Sequence, residues 1–337
     1  MRISEFDYGL PPELIAQEPI AEREKSRLLV LHRDTGEIEH RHFLDVSEYL
    51  NPGDLLVMND TRVSALRLIG RKMTGAVVEV LLLRDLGENR WDSLLKPGRR
   101  VQIGTTLYFG DGDISATAVE RTEGGGRILD FGNAPGTAEA IKQIGQVPLP
   151  PYIHSILKDA SRYQTTYSAE PGSSAAPTAG LHFTPKVLDD LRSEGVKTTF
   201  VTLHIGIATF RPVKTELIAD HVMHNETISV TTESAEAINS AQGRIIAVGT
   251  TSARTLESAA VGKRQVAAVD GETGLYITPG YQFNILEGLI TNFHMPKSTL
   301  LILISAFAGR ELIMKAYEEA KKERYRFLSF GDAMLIL

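Results

Sequence analysis

The stretch Gly172-Ser-Ser-Ala-Ala-Pro-Thr-Ala-Gly-Leu-His-Phe-Thr-Pro185 leads from an irregular region into a predicted helix. Nine of its residues are Gly, Ala, Pro or Ser, so it offers few side chains to a core. Because Thr184 is a typical N-cap and Pro185 suits the first helical position, we predict a helix that ends near Gly195. A small-residue loop before a helix N-terminus is either a ligand-binding loop or a tight structural turn, and both interpretations stay open.

Strand, loop and helix patterns alternate after this stretch. They recur within residues 184–204, 227–248 and 286–308, and two apolar strand patterns precede them at 27–31 and 54–58. This alternation is typical of an α/β fold with a mainly parallel sheet, either open or closed into a barrel.

Residues 63–145 have a different sequence pattern, in which short strand-like runs follow one another with glycine-rich turns between them. Five runs of this kind occur, at 77–83, 90–95, 106–109, 115–119 and 127–131. Since no helical pattern separates them, they predict a small antiparallel barrel or sandwich. We therefore predict a main α/β domain over residues 1–62 and 146–337, with an inserted β domain over residues 63–145.

The composition excludes several classes of protein. The 337 residues include no cysteine, which excludes disulfides, thiol catalysis and cysteine-ligated metal centres, and we expect a cytoplasmic protein. We expect neither a signal peptide nor a membrane span, since the longest apolar run covers only residues 300–308. The net charge of −6 still permits a local nucleic-acid patch. Lys321, Lys322 and Arg324 form one candidate patch, with a solvated helix face as the alternative.

Several common functional motifs are absent from the sequence. No Gly-x-Gly-x-x-Gly follows a strand, and the Walker A, Gly-x-Ser-x-Gly and His-Glu-x-x-His patterns do not occur. Dinucleotide-binding, NTPase and common hydrolase functions are therefore disfavoured.

Five of the nine histidines lie on predicted loops in the C-terminal half, namely His182, His204, His221, His224 and His294. Histidines on strand-end loops are expected to converge on one site, where they can transfer protons near neutral pH. His221 and His224, together with Glu226, also have the residue types of a metal site. Their three-residue spacing suits a helix, whereas this segment leads into a strand, so proton transfer is favoured over metal binding.

Two polar turns follow buried strands and are candidate binding segments. Gly249-Thr-Thr-Ser252 precedes a helix, where unpaired N–H groups and hydroxyls can bind a carboxylate or phosphate. Arg254 can add a bidentate contact to the same anion. Asn59-Asp-Thr-Arg62 ends a strand, where α/β proteins place ligand-binding groups. Capping turns are the alternative for both segments.

Longer motifs carry a resemblance that covers nearly the whole chain. They are Asn59-Asp-Thr-Arg62, Tyr163-Gln-Thr, Ala175-Ala-Pro-Thr-Ala-Gly-Leu-His-Phe-Thr184, Thr202-Leu-His204, Ala247-Val-Gly-Thr-Thr-Ser252, Pro279-Gly-Tyr281, Thr291-Asn-Phe-His294, Pro296-Lys-Ser-Thr-Leu300, Tyr325-Arg-Phe and Gly331-Asp-Ala-Met334. In these the chain resembles the S-adenosylmethionine:tRNA ribosyltransferase-isomerases of queuosine biosynthesis. Two departures are Ala208, where the family commonly has glycine, and Gly274, where an aspartate is expected.

The resemblance implies an α/β barrel-like main domain with an inserted antiparallel β-barrel domain. It also implies a reaction in which the ribosyl part of S-adenosylmethionine moves to an aminomethyl-deazaguanine wobble base of tRNA. That sugar is rearranged to give epoxyqueuosine, and adenine and methionine leave. S-adenosylmethionine is then a co-substrate, no metal is expected, and we expect a monomer that associates with tRNA and with no membrane.

Loop placement and the resemblance together predict a site. The predicted catalytic residues are His182, His204, His224, Glu226 and His294, with His204 and His294 transferring protons and Glu226 orienting His224. The predicted contacts to S-adenosylmethionine are Thr178, Ala179, Gly180, Thr250, Thr251, Ser252 and Arg254. The predicted contacts to tRNA are Asp60, Arg62, Lys321, Lys322 and Arg324. Stacking on adenine or on the flipped-out base is predicted for Phe183, Phe210 and Phe293.

Two other functions remain as alternatives. A metal-dependent hydrolase would use His204, His221 and His224. A non-catalytic RNA-binding protein would use the β domain and the basic cluster near the C-terminus.

Overall fold

A computed structural model of the chain describes residues 1–122, 124–206 and 213–337. The described chain divides into two compact units. The first comprises residues 1–61, 150–170 and 176–337, and the second comprises residues 62–149 and 171–175. The domain limits predicted from the sequence stay a prediction.

The described residues form strands and α-helices that are numbered in chain order. The strands are β1 (Arg27–Leu31), β2 (Ile38–His42), β3 (Leu55–Asn59), β4 (Thr61–Val63), β5 (Leu66–Arg71), β6 (Val77–Asp85), β7 (Arg90–Lys96), β8 (Thr106–Phe109), β9 (Ile114–Arg121), β10 (Arg127–Asp130), β11 (Glu170–Ser173), β12 (Lys197–Leu203), β13 (Glu226–Val230), β14 (Ile245–Val248), β15 (Ala260–Gly262), β16 (Gln265–Val266), β17 (Val269–Thr273), β18 (Gly288–Asn292) and β19 (Ala333–Ile336). The helices are α1 (Thr137–Ile144), α2 (Pro185–Ser193), α3 (Thr232–Asn239), α4 (Thr250–Ala259), α5 (Thr299–Ala308) and α6 (Arg310–Lys322).

A nine-stranded mixed sheet forms the centre of the first unit, in the order β17-β13-β12-β3-β14-β18-β19-β1-β2. The pairs β12–β3, β3–β14, β14–β18 and β19–β1 are parallel, and the other four pairs are antiparallel. The expectation of a mainly parallel sheet therefore holds only for the block from β12 to β18. The barrel-like form is not confirmed, because a barrel needs its end strands to pair, whereas β17 and β2 end the order.

Both faces of this sheet are buried, which explains why its strands read as continuous apolar runs. In β1, Leu29 and Leu31 belong to one hydrophobic cluster, whereas Leu28 and Val30 belong to another. Successive side chains of a strand point to opposite faces, so the two clusters cover the two sides of the sheet. Helices α3, α4, α5 and α6 contribute to the first cluster, and α2 contributes to the second.

The helix starts predicted from the sequence are present. The Oγ1 of Thr184 accepts a hydrogen bond from the Val187 N–H at the start of α2, and the Oγ of Ser298 accepts one from the Leu301 N–H at the start of α5. Among the described residues, no helix has the length and apolar character needed to cross a membrane.

The second unit contains a closed barrel of six antiparallel strands, in the order β10-β7-β6-β5-β8-β9. This confirms the predicted antiparallel β-barrel. The sequence analysis missed β5, whose Gly70 interrupts an otherwise strand-like run. That glycine lies against Phe109, because a Cβ built on Gly70 would be 2.8 Å from the Cε1 of that ring. The close approach of two neighbouring strands therefore requires glycine there.

Candidate active site

The first cavity lies in the first unit, where three segments of different origin meet. Its walls include residues 176–179 of the small-residue loop, residues 249–251 at the start of α4, and residues 291–295 after β18. Its volume is about 90 Å³. We call it the first cavity. Part of its lining comes from strand ends, as expected for a ligand site in an α/β fold.

One part of the small-residue loop lines the first cavity, and another part packs tightly against a tyrosine. Thr178 and Ala179 line the first cavity, and residues Thr178–His182 form a short 3₁₀ helix. Gly180 is a packing residue instead, since a Cβ at this position would be 2.0 Å from the Oη of Tyr167. The predicted ligand contact at Gly180 is therefore replaced by a close approach to a tyrosine.

Two of the three residues predicted as ligand contacts at the start of α4 line the first cavity. Thr250 and Thr251 line the first cavity, and the buried Oγ1 of Thr251 has no hydrogen-bond partner among the described residues. Ser252 is fully buried and its Oγ donates to the carbonyl of Val248 at 2.8 Å. Ser252 is not among the residues that line the first cavity, and its predicted part in the cofactor cradle stays a prediction.

His294 is the histidine that lines the first cavity. Its Nε2 is hydrogen-bonded with the Oγ1 of Thr291 at 2.8 Å, and its backbone N–H donates to the Oη of Tyr317 at 2.8 Å. The Tyr8 hydroxyl donates to its carbonyl oxygen. Burial lowers the pKa of His294 to about 3, so the imidazole is neutral at physiological pH.

His182 does not line the first cavity, but it is hydrogen-bonded to Asn292, which does. The Nδ2 of Asn292 donates to its Nε2 at 3.3 Å, so the ring proton is on Nδ1, which donates to the Ser26 Oγ at 2.7 Å. The Oδ1 of Asn292 accepts from the Oγ1 of Thr178 at 2.9 Å. Burial lowers the pKa of His182 to about 4. His182 is therefore a positioning residue that holds Thr178 through Asn292, not a group that lines the first cavity.

The two buried imidazoles predict a loss of stability in acid. Both stay neutral in the folded chain, whereas the unfolded chain titrates near pH 6.5, so the unfolded state binds more protons below that pH. The free energy of unfolding should fall as the pH drops from about 6.5, by about 3 kcal/mol for each histidine at pH 4. Urea unfolding at pH 7, 6, 5 and 4 measures this slope for the wild type, His182→Asn and His294→Gln.

The exposed His154 provides the matched control, since its replacement by alanine should leave the slope of the wild type unchanged. A slope in the His182→Asn and His294→Gln variants equal to that of the wild type would contradict the assignment.

His204 and Asp60 do not line the first cavity. The Nδ1 of His204 is hydrogen-bonded with the Thr61 Oγ1 at 2.7 Å. Burial lowers the pKa of this half-buried histidine, and the charge of Glu170 opposes the shift. Asp60 accepts from the Thr202 Oγ1 at 2.7 Å, and burial raises its pKa.

A second cavity has a volume of about 270 Å³. Leu300 lines this cavity and the first cavity. His221, His224, Glu226 and Arg254 border this second cavity. Glu226 forms a buried ion pair with Arg254, and its Oε1 accepts from the Gly206 N–H at 2.9 Å. The predicted orienting pair of Glu226 with His224 is therefore wrong, because the carboxylate is bonded to Arg254.

The five loop histidines are distributed instead of convergent. His294 lines the first cavity, His221 and His224 line the second, and His182 and His204 line neither. Within residues 1–122, 124–206 and 213–337, no three His, Asp or Glu side chains are grouped as a metal site requires. The prediction of one histidine site stays a prediction, because adjacency to a strand end does not say at which end, or on which face, a side chain lies.

The basic residues predicted to contact tRNA differ in their availability. Lys321 is largely buried, and its Nζ contacts the Glu318 carboxylate at 2.7 Å and donates to the Gly9 carbonyl at 3.1 Å. Lys322 is exposed and lies 3.6 Å from the Glu319 carboxylate. Arg62 and Arg324 are exposed. The expectation of an open patch is therefore wrong for Lys321, whose charge is already paired.

The residues predicted to stack on a base also lie in different places. Phe293 lines the first cavity, whereas Phe183 is fully buried against Phe43. Phe210 and the departure at Ala208 lie outside the described residues. At the other departure, a Cβ built on Gly274 would be 2.7 Å from the Asn225 Oδ1, so an aspartate there would require the exposed Asn225 side chain to shift.

Three polar residues of these cavities were not predicted. Asn292 belongs to the motif Thr291-Asn-Phe-His294, in which only the phenylalanine and the histidine were predicted to act. Thr215 and Tyr276 both line the second cavity. Neither belongs to a polar run at a strand end, and no signal in the sequence singles them out.

Comparison with known proteins agrees with the resemblance. The family described as "Queuosine biosynthesis protein" matches residues 3–336. Proteins named S-adenosylmethionine:tRNA ribosyltransferase-isomerase are 52% identical in Desulforamulus reducens and 53% identical in Symbiobacterium thermophilum, each over 100% of both chains. The crystal structure of S-adenosylmethionine tRNA ribosyltransferase from Thermotoga maritima is 42% identical, with 99% of this chain and 100% of that chain covered and a TM-score of 0.57. On this full-length agreement, the chain belongs to the queuosine biosynthesis protein family.

Proposed function

We propose that this chain transfers the ribosyl part of S-adenosylmethionine to the aminomethyl-deazaguanine wobble base of a tRNA and isomerises it. The products are epoxyqueuosine in tRNA, adenine and methionine. One observation carries the geometric side of the proposal: a neutral imidazole, His294, lines a cavity together with a small-residue loop and a helix start. Relatives that bear the name of this activity over their full length support it further.

The reaction requires proton transfers that this cavity can supply. A sulfonium makes the neighbouring C5′ hydrogens acidic, so a base has to remove one of them. The departing adenine needs a proton, and the attacking amine has to be neutral. A neutral imidazole accepts the first proton, and each positioned group of this kind contributes about a hundredfold or more.

We propose that His294 both takes and returns a proton. Its burial makes the imidazolium form unstable, so His294 is a weak base toward the sugar proton and, once protonated, a strong acid toward the departing adenine. Thr178, Ala179, Thr250 and Thr251 would form the cradle for the nucleoside, since all four line the same cavity as His294. His182 would act indirectly through Asn292.

The remaining assignments are proposals of the same kind. His204 is kept as a second proton-transfer group, and Asp60, Arg62, Lys322 and Arg324 as contacts to tRNA. We propose that the chain works as a monomer in the cytoplasm, with S-adenosylmethionine as co-substrate and no metal. We also propose that residues 63–145 form a domain inserted into the rest.

The direct test is release of adenine. Purified protein is mixed with S-adenosylmethionine and a tRNA that carries the aminomethyl-deazaguanine base, and adenine is quantified by chromatography. We expect stoichiometric adenine for each modified tRNA, and none with a tRNA that carries guanine at the wobble position. Binding of the precursor tRNA without adenine would identify an RNA-binding protein instead. Activity abolished by a chelator and restored by zinc would favour the metal-dependent alternative.

A further inference from the structure

Three residues that line the second cavity each carry a buried polar atom without a hydrogen-bond partner among the described residues. These atoms are the Nη2 of Arg254, the Oη of Tyr276 and the Oγ1 of Thr215. A buried donor left without a partner is costly, so three of them at one cavity indicate a ligand that accepts hydrogen bonds.

Arg254 offers one edge of its guanidinium to this space. Its Nη1 is bound to the Glu226 carboxylate, and its Nε donates to the Leu275 carbonyl at 3.2 Å. The residue is only 5% exposed, so its remaining N–H groups lie in a desolvated site. Nη2 has no hydrogen-bond partner among the described residues, and the bidentate contact expected from the sequence stays a prediction.

The charges around the second cavity favour a small zwitterion. Lys214, His221, His224 and Arg254 supply positive or protonatable groups, and Glu226 supplies a carboxylate. An α-amino acid carries both signs, so its carboxylate can accept from the three unpartnered donors while its ammonium faces the Glu226 side. A phosphate group complements only the positive part of this arrangement.

The apolar part of the cavity fits an unbranched thioether side chain. Met223, Ile277, Leu300 and Leu303 line it, and Leu300 is shared with the first cavity. The two cavities are therefore neighbours, and a molecule with a nucleoside at one end and an amino acid at the other has one end to offer to each.

We propose that the second cavity binds the amino-acid end of S-adenosylmethionine, with Arg254, Tyr276 and Thr215 donating hydrogen bonds to its carboxylate. The inference rests on the proposed function for the identity of the ligand. It makes Tyr276 and Thr215 binding residues, a role that no motif in the sequence had suggested.

The test removes single hydroxyl groups. In Tyr276→Phe and Thr215→Val, the KM for S-adenosylmethionine should rise about tenfold while kcat changes less than about twofold, since a hydrogen bond to a charged group is lost. Tyr49→Phe is the matched control, because this hydroxyl donates to the Glu39 carboxylate at 3.0 Å, away from both cavities. Unchanged KM values in both cavity variants would overturn the proposal.

A binding measurement separates this inference from the proposed activity. Calorimetry on the wild type compares L-methionine, L-methioninol, which lacks the carboxylate, and inorganic phosphate. We expect binding of L-methionine, at least about tenfold weaker binding of L-methioninol, and weaker binding in Tyr276→Phe. Equal affinities for L-methionine and L-methioninol, or a higher affinity for phosphate than for L-methionine, would overturn the inference. Absence of adenine release with normal L-methionine binding would instead count against the proposed function alone.

Discussion

Replacing His294 by alanine should lower kcat for adenine release by about 10²- to 10⁴-fold, the range for loss of a general acid–base group. The imidazole lines the first cavity and is neutral at pH 7, so it is ready to accept a proton from the sugar. Rapid mixing with saturating S-adenosylmethionine and precursor tRNA, followed by adenine quantification, measures the effect. Binding of S-adenosylmethionine should persist, because the neighbouring loop and helix start remain.

Two further variants make this result interpretable. His154→Ala removes an exposed histidine from the same unit and should retain the turnover of the wild type. His294→Gln keeps a hydrogen-bonding side chain near Thr291 without an imidazole, so it should fold and remain inactive. Normal turnover in His294→Ala would remove this residue from the chemistry and leave His204 as the proton-transfer candidate.

Glu226→Gln should lower the free energy of unfolding by about 3 to 5 kcal/mol, the cost of leaving one partner of a buried ion pair unpaired. Both side chains are 6% exposed, so water does not compensate the Arg254 charge when the carboxylate is lost. The glutamine amide oxygen of this variant can still accept from the Gly206 N–H, so the expected loss comes from the missing charge. Urea unfolding at pH 7 measures the change.

Removing both charges distinguishes the pair from simple packing damage. The double variant Glu226→Leu with Arg254→Met should be more stable than Glu226→Gln, because no buried charge remains. The exposed pair of Arg2 and Glu216, with side chains 65% and 73% exposed, provides the control. Glu216→Gln should change stability by less than about 1 kcal/mol. A double variant as unstable as the single one would contradict the argument.

Local features of the fold were predictable from the sequence, whereas the pairing of strands that are distant in the chain was not. The N-cap at Thr184 acts within one helical turn, and it was predicted correctly. The position of β19 depends on pairing with β18 and with β1, which is about 300 residues away in the chain. No local pattern encodes such a partner, so the sheet was predicted as more parallel than it is.

The candidate site shows the same division. Thr178 lies in the small-residue loop, Thr250 and His294 follow apolar strands, and these local patterns predicted all three residues, which line the first cavity. The partner of Glu226 is Arg254, on a helix 28 residues further on, and nearness in sequence wrongly favoured His224. The lowered pKa of His294 has no sequence signal, because it comes from burial by residues distant in the chain.

The place of β1 between β2 and β19 has a consequence for synthesis on the ribosome. The hairpin of β1 and β2 emerges early, yet the neighbour that completes its other edge is translated about 300 residues later. During that interval Leu28 to Leu31, fully buried in the finished protein, lack their final cover, and an open strand edge can pair with other chains. Nascent chains of this protein are therefore expected to depend on chaperones until translation passes residue 336.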